Sequence, residues 1–172
     1  TLTKNTPLKA TGAHVSIVAH STREELVTSL TETDRANGFA NRFIYLLVRR
    51  SKCLPEPAEI PDAVLTPLID ELRALARPWH QPLRRDPAAR ALWAEVYPRL
   101  SEGESGLLGA ILARAEAHVL RLSVIYAVLD GSPEIREPHL RAALAVWDYA
   151  DASTRRIFGD ALGLTVADVI LA

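Results

Sequence analysis

Three prolines within seven residues, Pro55-Glu56-Pro57-Ala58-Glu59-Ile60-Pro61, divide the chain into two stretches of different pattern. Proline has a fixed φ and no backbone N–H, so neither a helix interior nor a central strand runs through such a segment. Before it, apolar residues come in short β-branched runs; after it, they recur at helical spacing. The 172 residues are one domain's worth of chain and long enough to bury a sizeable core. The expected fold is mainly α. A small two-strand α/β piece spans residues 1–53, a proline-rich linker 54–61, and a helical bundle of about four helices 62–172.

In the first stretch, residues 1–13 are polar and turn-rich, as in a loop. His14 to His20 and Phe43 to Val48 read as two buried strands. Between them Thr22 and Glu25 form a capping box that starts a short helix to about Leu30. A turn over Asp34 to Arg42 follows, centred on Gly38 and two asparagines. In the second stretch Thr66-Pro67 reads as a cap and first-turn proline. A face of Leu68, Ile69, Leu72, Leu75 and Ala76 follows, and Pro78 stops it. Asp86-Pro87 opens the next helix, with Leu92, Trp93, Val96 and Tyr97 inward. Leu107 to Leu129 reads as one long, mostly apolar helix ended by Asp130-Gly131. Pro138 starts another, with Leu140, Leu144, Trp147 and Ile157 or Phe158 on its face. Val166 to Leu171 reads as the start of an element cut short by the chain end.

Lys+Arg 20 against Asp+Glu 21 leaves a net charge of -1, which excludes a generally basic nucleic-acid binder. The charge is uneven: +4 over residues 1–53, -1 over 54–99 and -4 over 100–172. Of the cationic residues 17 are arginine, the side chain suited to planar, bidentate anion contacts; base composition accounts for the bias equally well. Cys53 is the single cysteine, which excludes an internal disulfide framework or Cys-rich zinc site and fits a reducing cytoplasm. No apolar run approaches the roughly 18–20 residues that span a bilayer, and no signal-peptide pattern opens the chain, so no membrane partner is expected. Methionine is absent. A trimmed initiator before Thr1 or an origin inside a longer protein would each account for that, and the second is the expectation here.

Self-sufficient catalysis finds no support. No lysine follows a glycine, so there is no phosphate-binding P-loop. Gly103 to Gly109 precedes a helix whose free N–H groups offer an anion site, or is a plain turn. His14 and His20 would lie about 20 Å apart on a strand, too far to share a metal ion. His80, His118 and His139 show no ligand spacing, so no metal site is expected. There is no Gly-x-Ser-x-Gly elbow, and Cys53 has no evident histidine partner.

Three features survive. Arg114, His118 and Arg121 follow i, i+4, i+7 spacing and project from one face of an otherwise apolar helix. Guanidiniums there must pair with local acids such as Glu116, Asp148 or Asp151, lie exposed, or reach a bound phosphate, with Arg121 as a cofactor contact. Arg42 follows a glycine-containing turn and precedes a buried strand. It is either a solvated loop arginine or one presented to a neighbour's transferring phosphoryl group. His20, at the carboxyl end of a strand, is placed to touch a nucleotide or its attacking water. Arg49, Arg50 and Lys52 form a basic patch suited to a phosphate backbone.

The stretches HVSIVAHSTREEL, TETDRANGFANRFIYLLVRRSKCLP, LWAEVYPRLS and LLGAILARAEAHVLRLSVIYAVLDGSPEIREPHLRAALAVWDYADASTRRIFGD resemble a domain-of-unknown-function family of phage, prophage and plasmid replication proteins. Its members look like RepA-type or AAA-type P-loop ATPases, often fused to or found beside a primase-polymerase. The resemblance covers essentially the whole chain and implies the C-terminal part of a replication ATPase or helicase. It also implies that ATP and Mg2+ act only in the full-length protein, with none held by this portion, and that the full protein forms a homo-oligomeric ring on DNA. Ala40-Asn41-Arg42-Phe43 is similar to the arginine-finger segment of minichromosome maintenance helicases. Ala113 to Ser123 is similar to their lid helix, whose first arginine is the second nucleotide sensor, and His20 falls near their first-sensor position. That similarity implies catalytic roles for Arg42, Arg114 and His20. The rival expectation is a stand-alone, non-enzymatic helical module for interaction or DNA contact.

Overall fold

The computed structural model describes residues 11–30, 38–56, 58–75 and 82–159. The protein is mainly α. In chain order come α1 (Arg23–Ser29), a single 3-10 turn (Ala40–Arg42), α2 (Asp62–Leu75), α3 (Pro87–Ser101), α4 (Gly106–Leu112), α5 (Ala115–Leu129) and α6 (Glu137–Phe158).

The spine is the helical hairpin of α5 and α6. Its tight connection follows from local chemistry. Gly131 takes a left-handed φ of 61°, which lets the Ser132 N–H reach the Ala127 carbonyl and the Gly131 N–H reach Val128, at 2.9 Å each. These two bonds satisfy carbonyls that the end of α5 would otherwise leave open. On the other side of the connection Pro138 sits in the first turn of α6, where its missing N–H costs nothing. Helix α3 starts as its sequence dictates, with the Asp86 carboxylate accepting the Ala89 N–H at 2.6 Å and Pro87 behind it. An isolated parallel bridge between Arg85 and Ile135 ties that start to the α5–α6 connection.

Two apolar clusters form around α6. In the larger one, Leu92 and Leu100 of α3, Ala115 and Val119 of α5, and Leu140, Leu144 and Trp147 of α6 pack together. In the smaller one, Leu30, Ala40 and Ile111 pack on Ile157 and Phe158. Residues on both sides of the proline-rich segment therefore share a core. Arg23 reinforces this junction by donating from Nε to the Ile157 carbonyl at 3.1 Å. The loop between α3 and α4 crosses α4 so closely that a Cβ on Gly109 would lie 1.5 Å from the Glu104 carbonyl oxygen, so only glycine fits there.

Several expectations need correction. The strands expected at His14–His20 and Phe43–Val48 do not form; the described residues contain no ladder, and neither segment pairs with another strand, although Ile44 and Tyr45 pack against the two clusters. Val18, expected to be buried, is 94% exposed. β-Branched composition favours extended backbone, but a strand also needs a neighbour for its N–H and C=O groups, and none is there. The single helix expected over Leu107–Leu129 is two, broken at Ala113 and Arg114. The break lets Ile111 serve the smaller cluster while Ala115 and Val119 serve the larger. The block after the linker thus has five helices among the described residues, in line with the expected bundle of about four once the long helix is divided.

Helix α2 starts at Asp62, ahead of the expected Thr66-Pro67 cap, and holds Pro67 in its interior. Its start is fixed by Pro61, whose carbonyl accepts the Val64 N–H at 2.9 Å. The apolar face of α2 is not buried: Leu68, Ile69 and Leu72 all lie exposed. Tyr97 is likewise exposed, and Leu100 takes the inward place on α3. Residues 1–10, the Asp34–Asn37 part of the expected turn, Pro57, Ala76, Pro78, His80 and the element at Val166–Leu171 lie outside the described residues.

Candidate functional site

The arginine stripe and the Arg42 turn, 77 residues apart in sequence, meet at His118. The 3-10 turn is shaped locally. The Arg42 N–H donates to the Phe39 carbonyl at 3.1 Å, the Phe43 N–H to Ala40 at 3.4 Å, and the Tyr45 hydroxyl to Ala40 at 3.0 Å. Burial pushes the Tyr45 phenol up to about 12, so it stays a protonated donor. The Arg42 guanidinium folds back to donate to the Gly38 carbonyl, and Gly38 allows that turn with a φ of 73°.

The Asn41 carbonyl points away from the turn and receives His118 Nε2 at 2.9 Å. A carbonyl only accepts, so Nε2 carries the ring proton. His118 is 4% exposed, and its ring stacks on Trp147 of α6 with centroids 5.7 Å apart and planes 17° from parallel. Burial, first of all, holds the imidazole below its ordinary range. The charges of Arg121 and Arg114 push the same way, against the Asn41 hydrogen bond and the nearby Glu116.

Arg114 caps the start of α5, its carbonyl accepting the His118 N–H at 3.0 Å. It is half-buried, and Arg121, one turn beyond His118, is exposed. Of the acids that offered a structural explanation for the stripe, two are engaged elsewhere, while Glu116 stays close enough to act on His118 without forming an ion pair with either arginine. Asp148 pairs with Arg99 at 3.4 Å, and Asp151 pairs with Arg155 at 3.0 Å. Among the described residues Arg114 and Arg121 make no ion pair, and Arg42 has only its own turn's carbonyl. Two guanidiniums without ion pairs, Arg114 and Arg121, thus act on one buried imidazole together with the Glu116 carboxylate, and Arg42 follows directly on the residue whose carbonyl that imidazole binds.

The surface cleft on the far side of Trp147 makes the opposite case. It measures about 270 Å³ and is floored by Leu100, Ala115 and Trp147. Its arginines are neutralised: Arg155 donates to Glu104 at 2.8 Å, which holds that carboxyl below its usual range.

The other residues singled out by sequence do not join the site. His20 is exposed on the extended segment before α1 and hydrogen-bonds to none of the three arginines. Arg49, Arg50 and Lys52 are exposed together on the segment after Val48, with no acidic partner among the described residues. That segment is held to α6 at one point, where the Tyr149 hydroxyl donates to the Leu47 carbonyl. The described residues contain no group of three or more His, Cys, Asp or Glu side chains arranged to hold a metal ion. No helix among them is long and apolar enough to cross a membrane.

Sequence reading missed Asn41, Tyr45 and Trp147 as parts of this arrangement. Asn41 and Trp147 act through a carbonyl and a ring face brought in from distant elements, and nothing in their own neighbourhoods signals that. Compared with family models, curated proteins and solved structures, the chain matches none.

Proposed function

We propose that this chain is the arginine-finger and lid portion of a mobile-element DNA replication ATPase of the helicase type. The P-loop and the acid that holds Mg2+ would be supplied from outside these residues. The observation that supports the reading is that His118, flanked by Arg114 and Arg121, which make no ion pair among the described residues, hydrogen-bonds to the residue that precedes Arg42. Such a face suits the terminal phosphates of a nucleotide, whose developing charge preplaced cations stabilise. The arginines suit the phosphate part of ATP, and for its Mg2+ the described residues offer no group of three or more His, Cys, Asp or Glu side chains. Because Asn41, next to Arg42, is bonded to His118, one helical turn from Arg114, both arginines address the same phosphate in this reading. If Arg42 is donated across a ring interface, Arg114 is donated with it.

The test uses the gene product that carries this chain. Arg42→Ala retains ATP binding and lowers turnover by about a hundredfold or more, the scale of an arginine finger. Undiminished hydrolysis at saturating protein overturns the assignment, as does strong ATP hydrolysis by the 172 residues alone. A second reading, a non-enzymatic module contacting DNA, is favoured by the exposed Arg49, Arg50 and Lys52. It requires single-stranded DNA binding that weakens steeply with salt and weakens uniformly across sequences when these residues are replaced.

A further inference from the structure

We propose that His118 is a positioning residue: its hydrogen bond to the Asn41 carbonyl sets Arg42 against the face that presents Arg114 and Arg121. The inference rests on the reading of that face as phosphate-binding. Its structural basis is separate and lies in the hydrogen bonds of the turn. The Phe39 and Ala40 carbonyls are taken by Arg42, Phe43 and Tyr45, all from the same short segment. Those bonds give the turn its shape, and their amides open to exchange more readily when the turn leaves its seat on the helices. Ala40, which is buried, anchors the turn's body against Ile111 and Phe158. Tyr45, bonded to Ala40, packs edge-on to Phe158 with ring centroids 5.3 Å apart, so this side of the turn is seated on α6, and the Asn41 side is seated through His118.

The Asn41 carbonyl is the group that reaches out of the turn to the helical hairpin, and its partner is His118 at 2.9 Å. This donor is itself immobile. The ring is buried, stacked on Trp147, and attached one helical turn from Arg114. Arg42 follows Asn41 directly, so rotation about the turn moves the guanidinium relative to both stripe arginines. A misplacement of about 1 Å in such a constellation costs on the order of a hundredfold in phosphoryl transfer.

Two variants separate the bond from the packing. His118→Phe keeps a ring on Trp147 and removes the donor; His118→Gln restores an N–H donor without the ring. Hydrogen exchange by NMR on the 172-residue chain reads the Arg42 and Phe43 amides. Both should exchange about tenfold faster in His118→Phe, the α5–α6 amides remaining unchanged, and His118→Gln should recover part of the protection. Inorganic tripolyphosphate, titrated by NMR, reads the consequence. His118→Phe and Arg42→Ala each weaken binding about tenfold, and the double variant is no weaker than Arg42→Ala, because the histidine acts through the arginine. Unchanged exchange at Arg42 and Phe43 overturns the proposal, and so do additive losses in the double variant. Absence of tripolyphosphate binding by the unaltered chain would instead overturn the phosphate reading, leaving exchange alone to uphold or overturn the positioning role.

Discussion

At His118 a buried imidazole meets charge on its own helix, a carbonyl on a second side and an aromatic ring on a third. Arg114 and Arg121 flank it on its own helix with Glu116 beside them, the Asn41 carbonyl faces it from the 3-10 turn, and Trp147 covers it from α6. Burial and the two arginines place its folded-state titration below the ordinary histidine value of about 6.5. The sign of the pH dependence follows. Below about 6.5 the unfolded chain takes up a proton at this residue before the folded chain does, so stability falls with pH. The loss begins near the unfolded value, grows as pH drops toward the lower folded value, and levels off beneath it. Thermal melts between pH 7.5 and 5 should show Tm declining with acidity, and the part due to this residue should vanish in His118→Phe. An identical slope in the two proteins would contradict the assigned environment. The i, i+4, i+7 spacing read Arg114, His118 and Arg121 as one stripe; Arg114 stands just before α5, and Arg121 is exposed, one of the alternatives the spacing left open. That Asp148 and Asp151 would not serve the stripe was not legible, because Arg99 and Arg155, which hold them, come in from tertiary neighbours and the next helical turn.

Among the elements, α3 and α6 show what local sequence determines. Asp86-Pro87 and Pro138 mark their starts chemically, and Leu140, Leu144 and Trp147 were readable as a buried face from periodicity alone. Helix α2 has the same kind of periodicity and buries nothing. Periodicity reports that a face is apolar; burial requires another element to cover it, a fact of tertiary arrangement. The break between α4 and α5 was hidden for a related reason. Ala113-Arg114 contains no helix breaker, and the interruption serves packing on both sides of it. The contrast gives a direct test. Leu140 is 0% exposed at the centre of the larger cluster, whereas Leu68 is 52% exposed. Leu140→Ala should cost about 2–5 kcal/mol through lost burial and a residual cavity. Leu68→Ala should change stability by less than about 0.5 kcal/mol, as expected at an exposed helical position. Urea unfolding monitored by tryptophan fluorescence distinguishes the two, and comparable losses would mean that α2 is covered in solution.

For the molecule as a whole, the absence of a ladder among the described residues gives the extended segments before α1 and after the 3-10 turn a different standing from the helices. Their backbone groups have no sheet partner, and Val15, Ile17, Val18 and Val48 present apolar side chains to solvent. A protease needs several residues of accessible, extended chain, which Arg49, Arg50 and Lys52 already offer. Arg114, Arg121 and Arg141 cap or lie within helices and must wait for local or global unfolding. Limited trypsin digestion followed by mass spectrometry should therefore cut at Arg49, Arg50 or Lys52 well before any of those three. The nicked protein should not come apart. Leu30 and Ala40 remain packed on Ile157 and Phe158, and the Arg23 bond to the Ile157 carbonyl stays intact. Size-exclusion chromatography without denaturant should recover both pieces in one peak, with the Arg42 turn still seated on the hairpin. Early cleavage after Arg121 or Arg141 would refute the helical hairpin as the stable core. Separation of the pieces would show that the junction through Ile157 and Phe158 is too weak to hold Arg42 beside the stripe.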